Sequence, residues 1–413
     1  TDAAEIASFL CAGGGGPRVL FCTYHSAVRV GEALTLTGRS ADLLVCDEAH
    51  RCTGRAGKRD AKPLSDAFLS ASKRLFLTAT PKLIGSTRDR DGTLVEAGSM
   101  DDERLFGPTA YRLGYAEAKR RGVVAPLKLV FLDAADSYKR LSLGGLSLGG
   151  LLLPAAFDSA DFADLVELSL MMLDCRERYG VRTAFAFSAD NRRAAALESI
   201  ATRTLASHGF IVGRVDGTML ASEREARLAP LRNAPLPTEA RAEEMAAKAE
   251  GEAEVPTRLI TNCRVLAEGV DLPAVDLVVF ADLKHSHVDI LQCMGRASRV
   301  AAGKDFGYVL VPVSEEAAEG GRGFANAVSV MRAYAEQDEE FREALGALVV
   351  GEARMKRPLA HDEWPETLQR VLELPDTSLA VERMTAERMV ATVARELTDR
   401  WETLYGLLVA YRE

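Results

Sequence analysis

No apolar run in this 413-residue chain approaches the roughly 18 residues needed to cross a bilayer. The longest candidate, Leu146 to Phe157, is broken by Gly149, Gly150 and Pro154, so no membrane role is expected. A basic excess is also missing: the formal net charge is −9. That argues against a protein that coats nucleic acid through a basic domain. It leaves room for one that grips a few phosphates inside a cleft. Lysine is scarce, with 11 of the 51 basic residues against 40 arginines, and we read this as coding bias. Seven cysteines form no C-x-x-C pair, which points to reduced, cytoplasmic thiols and away from zinc or a disulfide framework. The six histidines are scattered, and His285-Ser286-His287 has no ligand cluster beside it, so it reads as polar loop surface. Neither a signal-peptide pattern nor an initiating methionine is present, and the expectation is a segment cut from a longer protein.

What is present is a globular composition, 47% hydrophobic and 27% charged, long enough for two domains. The first part alternates β-rich runs with helical stretches. Arg18–Cys22, Leu43–Cys46, Leu75–Thr78 and Leu127–Leu132 read as buried strands. A second series follows, with strands expected at Thr183–Phe187, Ile211–Val215, Arg258–Thr261, Leu277–Ala281 and Tyr308–Val311. Helices are expected near Phe162–Cys175, Asn191–Ala206 and Val288–Arg296. Such alternation implies an α/β fold with two parallel sheets covered by helices on both faces. Between the series, Leu-Ser-Leu-Gly-Gly occurs twice in direct succession from Leu141, and we take it as a connection. Asn233 to Thr257, rich in Ala and Glu, reads as a solvated insertion. Past Phe324 only helical periodicity remains, ending in Trp401, Leu404, Tyr405, Leu408 and Tyr411.

The strongest local signal is Leu43-Leu44-Val45-Cys46-Asp47-Glu48-Ala49-His50, an apolar strand ending in two adjacent acids. It places carboxylates at the C-terminal edge of a parallel sheet, where such folds bind ligands. One acid there is suited to hold Mg²⁺ through water, and the second to polarise an attacking water. Further on, Leu75-Phe76-Leu77-Thr78-Ala79-Thr80-Pro81 is a strand ending in hydroxyls. Glu268-Gly269-Val270-Asp271 is a turn able to bring backbone and a carboxylate to a ribose or phosphate. Gln292-Cys293-Met294-Gly295-Arg296-Ala297-Ser298-Arg299 ends a helix with two arginines three apart, a spacing that shares one face and suits neutralisation of a transferring phosphoryl group. Arg51, Arg55, Lys58, Arg59 and Lys62 make a basic loop whose plainer reading is a solvated one.

The order D-E-A-H, T-A-T, E-G-V-D and Q-x-x-G-R-x-x-R resembles motifs II, III, V and VI of superfamily 2 helicases, and Thr23-Tyr24-His25-Ser26 is similar to their motif Ib. Asp47 to Gly54, together with Ser99–Glu103, Phe106-Gly107-Pro108 and Tyr111-Arg112-Leu113, resembles bacterial DEAD/DEAH-box proteins related to restriction-type translocases. The closing Trp/Tyr stripe is similar to the opening of a helicase-associated domain. The resemblance implies two tandem RecA-like domains, the first incomplete, followed by a helical segment. Their expected bounds are lobe 1 at 1–135, a linker at 136–160, lobe 2 at 161–323 and an accessory region at 324–413. It implies ATP and Mg²⁺ as cofactors and DNA, single- or double-stranded, as partner in preference to RNA. By the same resemblance Asp47 organises Mg²⁺ and Glu48 activates water, while His50 and Gln292 couple the lobes. Thr78 and Thr80 link hydrolysis to movement, Gly269 and Asp271 meet the nucleotide, and Arg296 and Arg299 act as arginine fingers. Thr23, Phe187, Ser188, Asn262 and Arg264 fall where the family touches the nucleic-acid backbone, with a buried strand end as the alternative for Phe187.

One departure is large. The family's G-x-x-x-x-G-K-S/T loop, which cradles phosphates with backbone amides and a lysine, does not occur in these residues. Gly13 to Gly16 lead into Pro17, Gly57-Lys58 is followed by Arg59, and Gly303-Lys304 by Asp305. The expectation is that the loop lies upstream of Thr1 and that the chain continues past Glu413. An ATP-dependent helicase or translocase is therefore the first reading. A nucleotide-independent nucleic-acid-binding or regulatory protein is the rival. The motor segment of a restriction-modification enzyme, with its nuclease or methyltransferase elsewhere, is the third.

Overall fold

The computed structural model describes residues 2–13, 16–55, 63–81, 87–88, 94–95, 97–143, 163–232, 255–263, 265–266, 272, 275–282, 286–313, 322–374 and 387–397. The chain divides into two compact units, Thr1–Arg112 and Leu113–Glu413.

In unit 1, Asp2 and Glu5 form a reciprocal cap that starts helix α1 (Ala3–Cys11). Helix α2 (Ala27–Thr37) stops at Gly38, whose φ of 62° suits a residue without Cβ. Strand β1 (Leu44–Cys46) leads to the turn that bears the acids, and β2 (Gly54–Arg55) follows it. Strand β3 (Arg74–Phe76) pairs with β1 in parallel, Leu44 opposite Arg74 and Cys46 opposite Phe76. Strands β4 (Thr87–Arg88), β5 (Leu94–Val95) and β6 (Ala97–Gly98) make two short antiparallel pairs, β4 with β5 and β6 with β2, before α3 (Glu103–Phe106). A small core of Ala27, Leu34 and Leu69, with Leu10, Val30 and Leu44 packed against it, holds the unit together. The alternate strand residues are not enclosed: Val45 is 49% and Leu75 41% exposed. The buried strand expected at Arg18–Cys22 does not form. Those residues belong to no strand, and Phe21 is 92% exposed. An apolar run becomes a buried strand only when neighbours pair with it and cover it, and among the described residues none does.

Unit 2 opens with α4 (Tyr115–Arg120) and then builds one seven-stranded, all-parallel sheet. In chain order the elements are β7 (Leu127–Leu132), α5 (Ala134–Leu143), α6 (Ala163–Tyr179), β8 (Thr183–Phe187), α7 (Asn191–Leu205), β9 (Phe210–Arg214), α8 (Ala221–Arg232), β10 (Thr257–Asn262) and β11 (Leu277–Phe280). There follow α9 (His287–Ala297), β12 (Gly307–Pro312), α10 (Arg322–Gln337), α11 (Glu339–Met355), α12 (Glu366–Val371), β13 (Leu372–Glu373) and a last helix at 387–397. The spatial order is β13-β7-β12-β11-β8-β10-β9.

Alternate residues of each strand feed two cores. Val130, Leu132, Ala184, Ala186, Val279 and Leu310 face the layer of α5, α6 and α7. Leu129, Phe131, Phe185, Phe187, Phe280 and Val311 face the opposite layer, which includes Met294 of α9, Tyr334 of α10, Leu345 of α11 and Leu368 of α12. Burial of both faces is what makes these strands read as continuous apolar runs.

Two expectations are corrected here. Leu127–Leu132, placed with the first series by its position in sequence, instead pairs with β12 over Gly307–Pro312 and so belongs to the second sheet. The helices past residue 322 are not a separate appendage: Tyr334, Phe341, Trp364, Val390 and Val393 lie in the same core as the sheet. The repeated Leu-Ser-Leu-Gly-Gly beyond Leu143, the 233–254 insertion and the Trp401–Tyr411 stripe lie outside the described residues. Among the described residues no helix is long and apolar enough to cross a membrane.

Candidate functional site

Parallel pairing of β1 with β3 brings the acid turn and the hydroxyl-bearing turn to the same sheet edge. The Leu77 amide donates to the Cys46 carbonyl at 2.9 Å, and the Ala49 amide to the Leu77 carbonyl at 2.8 Å. Glu48 takes a left-handed conformation, φ 50°, and its amide donates to the Asp47 carboxylate at 2.9 Å. Such a backbone costs energy for a non-glycine residue and is held by what surrounds it. His50, buried behind the acids, meets three side chains through Nδ1: Glu48 Oε2 at 3.2 Å, Thr78 Oγ1 at 3.1 Å and Thr80 Oγ1 at 3.3 Å. The Thr80 amide also donates to Thr78 Oγ1 at 3.1 Å. The structure thus joins Glu48, His50, Thr78 and Thr80 in one hydrogen-bonded cluster, with Asp47 exposed at its rim.

A further member escaped the sequence reading. Tyr24 donates its hydroxyl to the Asp47 carbonyl at 2.6 Å, and the Arg51 guanidinium lies 5.9 Å from its ring centre. Burial, and then the neighbouring Cys52, push the Tyr24 hydroxyl well above its ordinary range, so it remains a donor to that carbonyl. The signal was in the T-Y-H-S motif itself, where Thr23 drew attention first. Thr23 is exposed and sits at the start of α2, its Oγ1 accepting from the Ser26 amide at 3.2 Å.

In unit 2 the candidate residues fall at opposite edges of the sheet, about 15 Å apart for strands of this length at roughly 3.3 Å per residue. At the C-terminal edge, the Ser188 amide donates to the Asn262 carbonyl at 2.8 Å, and the Ala189 amide to the Asp282 carboxylate at 2.8 Å. Arg193 in the first turn of α7 bridges Asp282 at 3.1 Å and Asp164 at 2.5 Å, an ion-pair group that no sequence motif announced. Phe187 is fully buried, with its ring 6.5 Å from Phe185 and 6.4 Å from Phe280. Of the two readings open for Phe187, the buried strand end is the one that its burial fits: the end of a central strand flanked by helices on both faces has no exposed side for a ring. Ser188 and Asn262 are enclosed as well, so they shape the edge and do not project from it.

At the N-terminal edge, α9 ends where β7 and β12 begin. The Ala125 amide donates to the Ser298 carbonyl at 2.7 Å. A Cβ at Gly307 would stand 2.0 Å from the Ala297 carbonyl oxygen, so only glycine permits that approach. Arg296 is buried, Arg299 partly so, and Gln292 is half-buried in the body of the helix. Beneath them Lys304 donates to the Val275 carbonyl at 2.5 Å beside buried Asp276. Arg264, Gly269 and Asp271 lie outside the described residues. Among the described residues no group of three or more His, Cys, Asp or Glu side chains is placed to hold a metal.

Residues 164–301 match the family described as "Helicase conserved C-terminal domain". A probable helicase of African swine fever virus (isolate Pig/Kenya/KEN-50/1950) is 24% identical over 304 residues, which is 71% of this chain and 28% of that protein. Among solved structures, the ATP-dependent Type ISP restriction-modification enzyme LlaBIII bound to DNA is similar in fold, with a TM-score of 0.62 and 23% identity, over 91% of this chain and 24% of that one. The chain therefore spans about a quarter of the length of these relatives.

Proposed function

We propose that the chain is a superfamily 2 helicase-type motor segment, related to restriction-type translocases, that couples ATP hydrolysis to movement on DNA. The match of residues 164–301 to the conserved helicase C-terminal domain and the fold shared with a restriction-modification enzyme support this reading. The observation that carries the proposal is the Glu48–His50–Thr78–Thr80 cluster, because it ties the water-activating acid to the strand end that would report nucleotide state. DNA as the partner draws on the restriction enzyme of similar fold, whose structure was solved bound to DNA.

Asp47 suits a hydrated Mg²⁺: an exposed carboxylate at a strand end, with one oxygen engaged by the Glu48 amide. When bound, that ion would neutralise charge on the phosphates. Glu48 would orient the attacking water and accept its proton, and its 3.2 Å contact with His50 fixes the carboxylate for that task. Thr78 and Thr80 would pass a change at His50 into the segment after β3. Arg296 and Arg299 would stabilise the charge that develops on the transferred phosphoryl group, and Gly269 and Asp271 would meet the nucleotide. At the C-terminal edge of the unit 2 sheet, main-chain groups would meet the nucleic-acid backbone, with the enclosed Ser188 and Asn262 shaping that edge. Arg264, and separately Thr23 of unit 1, are proposed as further backbone contacts.

The absence of a G-x-x-x-x-G-K-S/T loop within these 413 residues favours one rival, a nucleotide-independent nucleic-acid-binding protein. Reading the coding sequence upstream of Thr1 separates them: an in-frame loop of that pattern supports the motor, and a start codon with no such loop supports the rival. In a protein containing both segments, Glu48→Gln should leave ATP binding intact and cut turnover by roughly a hundredfold or more. Turnover near that of the unmodified protein would remove Glu48 from its role.

A further inference from the structure

Three residues past the boundary between the units, α4 begins a strap that touches two distant parts of unit 2 before entering β7. Its first anchor is Asp338, a wholly buried carboxylate between α10 and α11. Asp338 accepts from the Lys119 ammonium at 2.6 Å, the Tyr334 hydroxyl at 3.0 Å, and the Glu340 and Phe341 amides at 3.1 and 3.3 Å. The amide bonds cap α11, a local task that a serine or asparagine could perform. The lysine is a different matter. A buried carboxylate paired with a lysine that is itself nearly enclosed binds α4 to the C-terminal helices, and removing one partner would leave a buried charge uncompensated.

The contacts continue toward the second anchor. Lys119 Nζ lies 5.4 Å from the Tyr115 ring centre, and that ring packs edge-on against Tyr334 at 6.0 Å. The Tyr115 hydroxyl stands 3.5 Å from the Ala125 carbonyl, and the Ala125 amide donates to the Ser298 carbonyl at 2.7 Å. Ser298 is the C-cap of α9 and directly precedes Arg299.

We propose that the strap of residues 115–125 is a transmission element in which Lys119 is a positioning residue: through Tyr115 and Ala125 it fixes the last turn of α9, and with it Arg299, relative to the C-terminal helices. The consequence for Arg299 rests on the function proposed above; the mechanical link does not. The strap is also the covalent continuation of the chain leaving unit 1, so a displacement conveyed along the backbone reaches the end of α9 and the Asp338 anchor together. Coupling between sites travels through contiguous packed side chains, hydrogen bonds and ion pairs, and the strap supplies such a contiguous set between its two anchors.

The test is hydrogen exchange on the 413-residue chain without nucleotide, comparing the unmodified protein with Lys119→Met and Lys119→Arg. In Lys119→Met the amides of 115–125 and those of 295–300 should both exchange faster, by about tenfold or more, while β8 and β10 keep their protection. Lys119→Arg should restore both segments. Faster exchange in 115–125 with 295–300 unchanged would overturn the proposal, as would failure of arginine to restore. If Lys119→Met loosens the whole unit, Asp338→Asn, which keeps an acceptor for the α11 amides, is read against the same criteria. Exchange is read without turnover, so a protein that hydrolyses no ATP would count against the proposed function and not against the strap. Where turnover is measurable, Lys119→Met should lower kcat and leave KM unchanged.

Discussion

Strand β8 of unit 2 and strand β1 of unit 1 are both short apolar runs that end at a turn carrying polar candidate residues, yet their surroundings differ completely. Every residue of Thr183–Phe187 is buried, with β10 and β11 as hydrogen-bonded neighbours and helices on both faces. In Leu44–Cys46 only Cys46 is buried, and the one partner among the described residues is β3. The difference shows that an apolar sequence supplies a candidate strand and the rest of the sheet decides whether burial stabilises it. It also divides the candidate residues, since the acid cluster stands on the sparsely covered unit and the arginines on the well-covered one.

The largest test of that contrast separates the units. A fragment of residues 113–413 should unfold in one cooperative thermal transition with intact near-UV circular dichroism. A fragment of residues 1–112, with Val45, Leu75 and Phe21 open to solvent, should aggregate or show no transition. Cooperative folding of the smaller fragment by itself would break the comparison.

Next in size is a single core residue. Phe187→Ala should destabilise unit 2 by about 3–5 kcal/mol in denaturant titration, because it empties the space between Phe185 and Phe280. A loss under about 1 kcal/mol would instead place the ring at a surface.

The pH dependence of unit 2 offers a smaller effect. Burial, and then Arg299, depress the Lys304 amine to about 8 from an ordinary 10.5, against the upward pull of Asp276. Between those values the unfolded chain binds the extra proton, so this group makes stability rise with pH from about 8 towards 10.5. The slope from one group is at most about 1.4 kcal/mol per pH unit. Lys304→Met should remove that rise, as read from denaturant midpoints at pH 7.5 to 10. An unchanged slope would mean that Lys304 titrates at its ordinary value. Smallest of all, Leu75→Ala in unit 1 should change the stability of the full chain by no more than about 1 kcal/mol, since its side chain is already 41% exposed.

Much of unit 2 was legible in the sequence. Strand Thr183–Phe187 was located residue for residue, and β9 to β12 within one residue at each end, because strands buried on both faces give long apolar runs between clear breaks. Partnership was not legible. The run Leu127–Leu132 showed its strand character but not its neighbour, and sequence order suggested the wrong sheet. The helices of the expected accessory region gave no sign of their packing partner, because amphipathic periodicity records that a face is buried, not against what. Strand β13, with two residues, carries no pattern at all.

The site divided along the same line. The D-E-A-H and T-A-T motifs identified Glu48, His50, Thr78 and Thr80, and parallel pairing joined them. Tyr24 reached Asp47 across 23 residues of sequence through a hydroxyl whose direction no spacing rule gives. Phe187 stayed open between two readings for the opposite reason, since a strand end next to a polar loop can look exposed until the helices over it are known.

On the function proposed above, these residues hold the hydrolytic and coupling groups of a nucleic-acid motor without the G-x-x-x-x-G-K-S/T loop that would seat the nucleotide. Steady-state ATP turnover by the 413-residue chain, with Mg²⁺ and with or without single- and double-stranded DNA, tests it most directly. No turnover above the protein-free rate is expected in any of these conditions. DNA-stimulated turnover that Glu48→Gln abolishes would contradict it, showing that a segment within the chain seats the triphosphate.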